Sequence, residues 1–395
     1  MSPSCLGVSR GLRTIVCGHE PNATWERGIW QARGMLEAVL LVGGRGTRLR
    51  PLTNNIPKPM LPVAGVPFTE HQIARARAAG VTRVVLSTSY RAEVFSEYFG
   101  DGSDFGVEMV YAPEESPLGT GGAIRNVTRF LRSGPEDPVL IFNGDVLSGL
   151  DIAGLVAHWR RAGAAVALYL TRVPDPRAFG LVPTNAEGRV TAFLEKPTSP
   201  AEIVTDQINA GCYVFRRSVI DRIPPGRVVS VERETFPELL ADGANVIGVV
   251  DDAYWLDLGT PAAFVEGSRD IVTGRIPSPA LPGDVGRALL LPGADVSVDA
   301  VVAGGSVIGR DAHVDAYATV DGSVVLDGAR VGVGATVTAS VVGAGAVVGH
   351  GTRVSGAVIG DGAVLGAENE FLDGVRVWPG AQIPDCTIRH SSDQS

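Results

Sequence analysis

The sequence has few cysteines, no excess of positive charge and no long apolar run, and each shortage excludes a class of protein. Its four cysteines form no C-x-x-C pair, which argues against a zinc site and a disulfide framework and favours a reducing compartment. A formal net charge of −9 argues against nucleic-acid binding, and no run approaches the roughly 20 apolar residues that span a bilayer. We therefore expect a cytoplasmic protein without nucleic-acid or membrane partners.

One long segment contains no acidic residue at all, from Gly43 to Thr69. It follows an apolar run, residues 38–42, that predicts a buried strand. Its first residues are rich in glycine, so that backbone N–H groups can approach a ligand closely. Its cations are Arg45, Arg48, Arg50 and Lys58. A glycine loop with cations and no acids predicts a binding site for a polyphosphate.

Neither of two standard phosphate loops describes this segment. The P-loop needs Gly before its Lys and Ser or Thr after it, whereas Lys58 is followed by Pro59. The dinucleotide fingerprint needs a third glycine where this chain has Leu49.

Apolar runs alternate with helical patterns as far as about residue 250, which predicts a mostly parallel sheet covered on both faces. The predicted strands are residues 38–42, 84–88, 107–111, 139–142, 166–171, 212–215 and 246–250. We expect a helix to start near Thr69 with a capping box to Gln72 and to end at Gly80, and a later helix over 261–273. Ligands of such sheets bind beyond the carboxyl ends of the strands, where the glycine loop begins.

The last hundred residues follow a different period. From Ile308 to Leu365, apolar residues recur at steps of 6, 6 and 5, which predicts one triangular coil per 17 residues. The pattern resembles left-handed parallel β-helices. We predict an extension at 1–34, with Met35 as the natural start, a first domain at 35–273, a linker at 274–288 and a β-helix at 289–388.

Further motifs carry polar residues typical of a catalytic site, although each alone has an ordinary structural explanation. S-P-L-G-T-G-G at 116–122 can accept a base and an anion at a helix start, or be a plain helix start. F-N-G-D-V-L and W-L-D-L-G-T-P each supply a carboxylate that could hold Mg²⁺ against phosphate oxygens, or lie in a solvated turn. The other motifs are R-A-F-G, F-L-E-K-P and I-N-A-G-C-Y-V-F.

Residues 43–67 resemble the signature of the sugar-1-phosphate nucleotidylyltransferases, GGxGTRLxPLTxxxPKPMxPVxGxP. The other motifs also match this family in sequence order. From Met35 to about Ser392 the chain is similar to its bacterial mannose-1-phosphate guanylyltransferases with a C-terminal β-helix. The resemblance implies a Rossmann-like α/β domain that makes GDP-mannose and pyrophosphate from GTP and mannose 1-phosphate, with Mg²⁺ as cofactor. We also expect a homo-oligomer.

The resemblance assigns a role to each matched residue. Arg48 and Lys58 would be catalytic, and Asp145 and Asp257 would bind the metal. The nucleotide would contact Leu41, Gly43, Gly44, Gly46, Thr47, Leu118, Gly119, Thr120 and Gly121. The sugar phosphate would contact Gly180, Glu195, Lys196, Asn209, Ala210 and Gly211, with Gly180 in a turn over the sugar and Asn209–Gly211 in a turn along its ring.

Three alternatives stay open at this point. Another pyrophosphorylase of the family, using glucose 1-phosphate with UTP, dTTP or ATP, would share every phosphate motif. A non-catalytic regulatory paralogue would be expected to lose Lys58 or a metal aspartate, and all are present. A β-helix acyltransferase would need an active histidine, for which His313 and His350 are the candidates.

Overall fold

The computed structural model describes residues 36–44, 46–89, 91–197, 199–281 and 286–388. The predicted extension at 1–34 and the proposed start at Met35 lie outside these ranges. Within them, no helix is long and apolar enough to cross a bilayer. The described residues form an α/β unit followed by a β-helix, as predicted.

The α/β unit contains thirteen strands and seven α-helices in the described ranges. The strands are β1 (Leu36–Leu41), β2 (Pro62–Val63), β3 (Val66–Pro67), β4 (Val81–Thr88), β5 (Glu108–Pro113), β6 (Pro138–Asn143), β7 (Val146–Ser148), β8 (Val166–Arg172), β9 (Gly180–Leu181), β10 (Leu194–Glu195), β11 (Gln207–Arg216), β12 (Val246–Val250) and β13 (Trp255–Asp257). The helices are α1 (Phe68–Ala78), α2 (Ala92–Phe99), α3 (Gly119–Asn126), α4 (Ile152–Ala162), α5 (Arg217–Ile220), α6 (Phe236–Ala241) and α7 (Pro261–Val272).

Nine of these strands form one sheet, with β1 near its centre. Its main path runs β10–β9–β11–β6–β1–β4–β5, and β8 joins β11 to β12. The strands from β6 to β5 are parallel, as predicted, whereas β11 runs antiparallel to β6, β8 and β9, so the sheet as a whole is mixed. Alternate residues of β1 enter different cores, with Ala38 and Leu40 in one and Val39 in the other. Both faces are therefore covered, and the carboxyl ends of the parallel strands lie at one edge.

Two local predictions were wrong. The first helix starts at Phe68 without a side-chain cap, because Thr69 Oγ1 donates to Pro59 O and Gln72 Nε2 donates to Asn143 O. Asn209–Gly211 is not a turn between elements but an irregular part of β11, where the pairing with β8 shifts register. In both places contacts with other segments determine the local conformation.

The β-helix begins with β14 (Ala288–Leu290), and its strands lie in three parallel sheets. The other strands are β15 (Asp295–Val296), β16 (Val301–Ala303), β17 (Ser306–Ile308), β18 (His313–Val314), β19 (Thr319–Asp321), β20 (Val324–Val325), β21 (Arg330–Val331), β22 (Thr336–Thr338), β23 (Val341–Val342), β24 (Val347–Val348), β25 (Arg353–Ser355), β26 (Val358–Ile359), β27 (Val364–Leu365), β28 (Glu370–Phe371), β29 (Arg376–Val377) and β30 (Gln382–Ile383).

The spacing of paired residues confirms the predicted coil. Val325 pairs with Val342, and Val342 pairs with Ile359, so each coil is 17 residues long in this part of the repeat. These residues point inward and are fully buried in a core of small aliphatic side chains. A later coil has 18 residues, since Val358 pairs with Arg376.

Candidate active site

A cavity of about 350 Å³ lies at the carboxyl edge of the parallel strands, a size typical of small-molecule sites. It opens where the glycine loop leaves β1. Its lining residues are Leu41, Gly43, Gly44, Lys58, Pro59, Ser87, Ser89, Glu114, Pro117, Gly119, Thr120, Ala123, Asn143, Gly144 and Asp145.

Close contacts leave no room for a side chain at two glycines of the loop, Gly43 and Gly46. A Cβ on Gly43 would lie 2.7 Å from Ser89 Oγ. Gly46 has a left-handed backbone with φ of 58°, and a Cβ there would lie 2.7 Å from Lys58 Cβ. The loop thus folds back onto Lys58. Thr53 Oγ1 stabilises this conformation by donating a hydrogen bond to Gly46 O. The 3₁₀ helix Thr47–Leu49 follows, with Thr47 and Arg48 exposed and Leu49 buried.

Lys58 lies between the two predicted metal ligands. Its Nζ is 2.8 Å from Asp145 Oδ2 and 3.8 Å from Asp257 Oδ1. Pairing of two short strands brings these distant carboxylates together. Asp257 is the last residue of β13, which pairs antiparallel with β7, and β7 begins directly after Asp145. Leu258 N also donates to Asp145 O. Residues from three separate motifs therefore meet at one point beside the cavity.

Arg48 adds a second cation to this cluster. A Cβ on Gly259 would lie 2.6 Å from Arg48 Nη2 and 2.8 Å from Asp257 Oδ1, so the guanidinium and the carboxylate flank the same glycine. Burial and the nearby Asp145 raise the pKa of Asp257, while Lys58 and Arg48 oppose that shift. The arrangement concentrates two carboxylates and two cations where phosphates and a metal could be bound.

The two carboxylates suit a divalent cation. Asp257 Oδ1 is buried and accepts no hydrogen bond, which leaves a lone pair for another partner. Mg²⁺ is commonly held by one or two carboxylates together with substrate phosphates, rather than by a full set of protein ligands. The donor set therefore fits this ion.

The second glycine motif packs against the segment before α6. Gly119 has a φ of +70°, and a Cβ on it would lie 2.6 Å from Val229 O. Gly121 N donates to the same carbonyl oxygen, and Val229 N donates to Leu118 O. Gly119 and Thr120 line the cavity, whereas Leu118 and Gly121 do not, and Gly121 is buried against Val229. These contacts give Gly121 a structural reason to be glycine.

Glu114 is a lining residue that the sequence analysis missed. Its two carboxylate oxygens accept hydrogen bonds from Ser87 Oγ at 2.9 Å and from Leu118 N at 3.0 Å. They hold the carboxylate at the end of β5, beside the second glycine motif. The signal was available, because Glu114 follows an apolar run just as Asp145 does.

The predicted sugar residues form a second group outside the main cavity. Gly180 lies in β9 opposite Glu195 of β10 rather than in a turn, which corrects the prediction. A Cβ on Gly180 would lie 2.6 Å from Glu195 Oε2. Lys196 follows with a φ of 52°, and its exposed Nζ lies 3.5 Å from Glu195 Oε1.

Asn209–Gly211 connects this group to the cavity. Asn209 Oδ1 accepts from Gly211 N and its Nδ2 donates to Tyr213 OH, so the amide shapes the strand. Ala210 O accepts a hydrogen bond from Trp255 Nε1. A Cβ on Gly211 would lie 2.9 Å from the side chain of Asn143, which lines the cavity.

Trp255 is a second residue that the motifs did not single out. It lies two positions before Asp257 in β13, and Phe179 contacts its ring edge-to-face at 5.4 Å. Trp255 therefore connects β13, which ends at Asp257, to the segments that contain Phe179 and Ala210.

The histidines of the β-helix lie in ordinary surface positions. His313 Nδ1 is 3.4 Å from Asp295 Oδ2, and His350 Nε2 is 3.7 Å from Glu368 Oε1. All four side chains are substantially exposed. Contacts with surface carboxylates account for both histidines without an acyltransferase site.

Comparisons with known proteins identify relatives over nearly the whole sequence. Residues 37–274 match the family described as nucleotidyl transferase, and residues 285–394 match the GMPPB C-terminal domain. Mannose-1-phosphate guanylyltransferase from Mycobacterium tuberculosis is 56% identical over 363 residues, which cover 92% of this chain and 99% of that protein. The mannose-1-phosphate guanylyltransferase catalytic subunit beta of Drosophila pseudoobscura pseudoobscura is 35% identical, with coverage of 71% and 74%. Among solved structures, HddC from Yersinia pseudotuberculosis complexed with GMP-PN has a TM-score of 0.52 and 26% identity, covering 60% of this chain and 100% of that one.

Proposed function

The chain belongs to the nucleotidyl transferase family, and from this premise we propose that it transfers GMP from GTP to mannose 1-phosphate, giving GDP-mannose and pyrophosphate. The observation that supports this type of reaction is a cluster beside the cavity, formed by Arg48, Lys58, Asp145 and Asp257. The names of the similar proteins from Mycobacterium and Drosophila support the choice of base and sugar.

The proposed reaction needs charge neutralisation more than proton transfer. The phosphate of mannose 1-phosphate is already anionic, so it can attack the α-phosphorus of GTP without a general base. The backbone of Gly43, Gly44, Gly46 and Thr47, with the Arg48 guanidinium, would hold the leaving pyrophosphate. Lys58 would lie between the α-phosphate and the incoming phosphate. Positioned cations of this kind stabilise the charge that develops in the transition state.

We propose that Asp145 and Asp257 hold Mg²⁺. When bound, the ion would supply additional positive charge to the triphosphate. The carboxylates are already fixed by the β7–β13 pairing, so little rearrangement of the backbone is needed.

On the sugar side we propose that Lys196 binds the phosphate of mannose 1-phosphate and that Glu195 binds sugar hydroxyls. Gly180, Asn209, Ala210 and Gly211 would form the adjoining surface. The exposed Nζ of Lys196 and the Trp255 contact to Ala210 support this arrangement.

We propose Glu114 as the residue that distinguishes guanine from other bases. A carboxylate only accepts hydrogen bonds, and each of its oxygens has two lone pairs. Guanine presents two adjacent donors, N1–H and the N2 amino group, whereas uracil and thymine present one donor between two carbonyl oxygens. Since Glu114 is fixed at the cavity wall beside Gly119 and Thr120, its charge favours guanine.

The substrate assignment is tested by measuring pyrophosphate release. The assay combines ATP, GTP, CTP, UTP and dTTP with the 1-phosphates of mannose, glucose and N-acetylglucosamine. We expect the highest kcat/KM for GTP with mannose 1-phosphate. A higher value for UTP, dTTP or ATP with glucose 1-phosphate would establish the alternative left open by the sequence.

The Glu114→Gln variant tests the assignment of the base. We expect kcat/KM for GTP to fall about 10- to 100-fold, because charge-assisted hydrogen bonds contribute roughly 1.5–3 kcal/mol. Glu115→Gln is the matched control, because Glu115 is adjacent to Glu114 in the chain and is exposed. This variant should behave as the wild type. Equal GTP kinetics for both variants would remove Glu114 from the base site.

A further inference from the structure

The β-helix packs against the glycine-loop segment through one row of outward-facing residues. These residues lie on the sheet that contains β14, β17, β20, β23, β26 and β29. They are Leu289, Val307, Val324, Val341 and Val358, all at most 4% exposed. They share one core with Leu49, Leu52 and Leu61 of the α/β unit. Since Leu49 directly follows Arg48, this core anchors the turn that carries the proposed catalytic arginine.

The next position in the row is an arginine rather than an apolar residue. Arg376 is the register partner of Val358 in the adjacent coil. Its Nη1 donates to the backbone carbonyl oxygen of Arg50 at 2.7 Å. The hydrogen bond therefore reaches the loop two residues beyond Arg48, at the end of the 3₁₀ helix Thr47–Leu49.

The far end of the signature segment also touches the β-helix. The β2–β3 hairpin turns at Ala64 and Gly65, both with positive φ. A Cβ on Gly65 would lie 2.8 Å from Leu291 Cδ2, and Ala64 N donates to Ser268 Oγ of α7. The segment is thus fixed at both ends, by the β-helix at Arg50 and by the β-helix and α7 at the hairpin.

We infer that Arg376 is a positioning residue for the nucleotide loop: by binding the Arg50 carbonyl, it helps to hold the Thr47–Leu49 turn where Arg48 reaches the triphosphate. Arg376 itself does not line the cavity. The expected effect on the KM for GTP rests on the proposed function, whereas the hydrogen bond from Arg376 to the Arg50 carbonyl does not. A domain remote in sequence would thereby contribute to GTP binding.

Three variants of the full-length protein test the inference: Arg376→Ala, Arg376→Lys and the control Arg353→Ala. Arg353 is a β-helix arginine on another sheet, where its Nη1 lies 3.4 Å from Glu370 Oε1. For Arg376→Ala we expect the KM for GTP to rise about 3- to 10-fold, which is less than the full effect of a charge-assisted hydrogen bond, because this exposed bond acts on GTP only through the loop. The KM for mannose 1-phosphate and the Tm should stay near the wild-type values. Arg376→Lys should recover part of the loss, and Arg353→Ala should match the wild type.

Amide hydrogen exchange provides a readout that does not depend on turnover. Peptides covering residues 46–54 should exchange faster in Arg376→Ala than in Arg353→Ala, because the loop has lost a tether. Unchanged exchange and an unchanged KM for GTP in Arg376→Ala would overturn the inference, as would equal increases in both KM values. If the wild type does not turn over GTP, the proposed function fails, while the exchange experiment still decides whether Arg376 orders the loop.

Discussion

At the scale of single residues, Lys58 combines two demands that oppose each other. Its ammonium lies within 4 Å of both Asp145 and Asp257 and offsets part of their negative charge. The same two carboxylates are the proposed ligands of a divalent cation, which must approach against the lysine's positive charge. Nucleotide phosphates relieve this conflict because they give Lys58 a new anionic partner. We therefore expect the metal to bind tightly only together with the nucleotide.

Metal titration without nucleotide tests this expectation. Replacing Lys58 with Met should raise the affinity for free Mn²⁺ by at least about tenfold, since two unit charges about 4 Å apart interact by roughly 1 kcal/mol even in bulk water and by more near a protein surface. Electron paramagnetic resonance of unbound Mn²⁺ gives the dissociation constant directly. Lys196→Met is the control, because Lys196 Nζ pairs with Glu195 rather than with the two aspartates. Unchanged or weaker Mn²⁺ binding by Lys58→Met would contradict the claim that the Lys58 ammonium disfavours metal binding at the two aspartates.

Sequence motifs led to Lys58, Asp145 and Asp257 because each is embedded in a long pattern. Their proximity in the structure supports the site, and their roles remain proposals. Glu114 was not selected, although it follows an apolar run as Asp145 does, because it lies outside the matched motifs. Trp255 was overlooked because its contacts with Phe179 and Ala210 join segments that are far apart in sequence.

At the scale of elements, helix α1 shows why a local rule failed. Its first turn was predicted from Thr69 and Gln72, but both side chains serve contacts with other segments. The buried His71 does the same: its Nε2 donates to Val63 O of β2, and its Nδ1 accepts from Ser278 Oγ. The strand β1 was predicted well because an apolar run buried on both faces needs no partner to be recognised. Side chains that bridge distant elements leave no comparable periodicity.

His71 should make stability depend on pH between about 6.5 and 4. Burial lowers its pKa from 6.5 to about 4, so the folded protein keeps the ring neutral while the unfolded chain takes up a proton. The free energy of unfolding therefore falls as the pH drops through this window, by up to about 1.4 kcal/mol per unit. Urea unfolding of the wild type and His71→Gln from pH 7.5 to 4.5 measures the difference. His158→Gln, at an exposed position, should retain the wild-type slope.

The result for His71→Gln separates this residue from the carboxylates that also titrate. We expect the variant to be less stable than the wild type at pH 7.5 and to approach it as the pH falls. Parallel curves for the two proteins would show that His71 contributes nothing to the pH dependence.

At the scale of the whole molecule, the α/β unit and the β-helix share a hydrophobic core. Phe264 and Ile271 of α7 join the outward row of the β-helix in this core, together with Leu49 and Phe68. A shared core of buried aliphatic and aromatic side chains couples the unfolding of two parts. The predicted boundaries at 273/274 and 288/289 describe the order of segments in the chain, but they do not imply independent stability. The expected homo-oligomer also stays a prediction.

Calorimetry tests the coupling. We expect one transition for the wild type and two for Val341→Asp, because a charge placed in the shared core is costly to bury. Val333→Asp carries the same substitution at a β-helix corner where the side chain is 42% exposed, and it should keep one transition. Two transitions in the wild type would show that the units unfold separately.

The repeating coil has a final consequence that concerns length. Along the sheet that faces the α/β unit, four strand spacings separate Val307 from Arg376, roughly 19 Å at about 4.8 Å each. A solenoid needed only for solubility could gain or lose a turn during evolution at little cost. Here an added turn would move Arg376 one strand spacing past the carbonyl oxygen of Arg50. The number of turns between Val307 and Arg376 is therefore matched to the width of the α/β unit along this sheet.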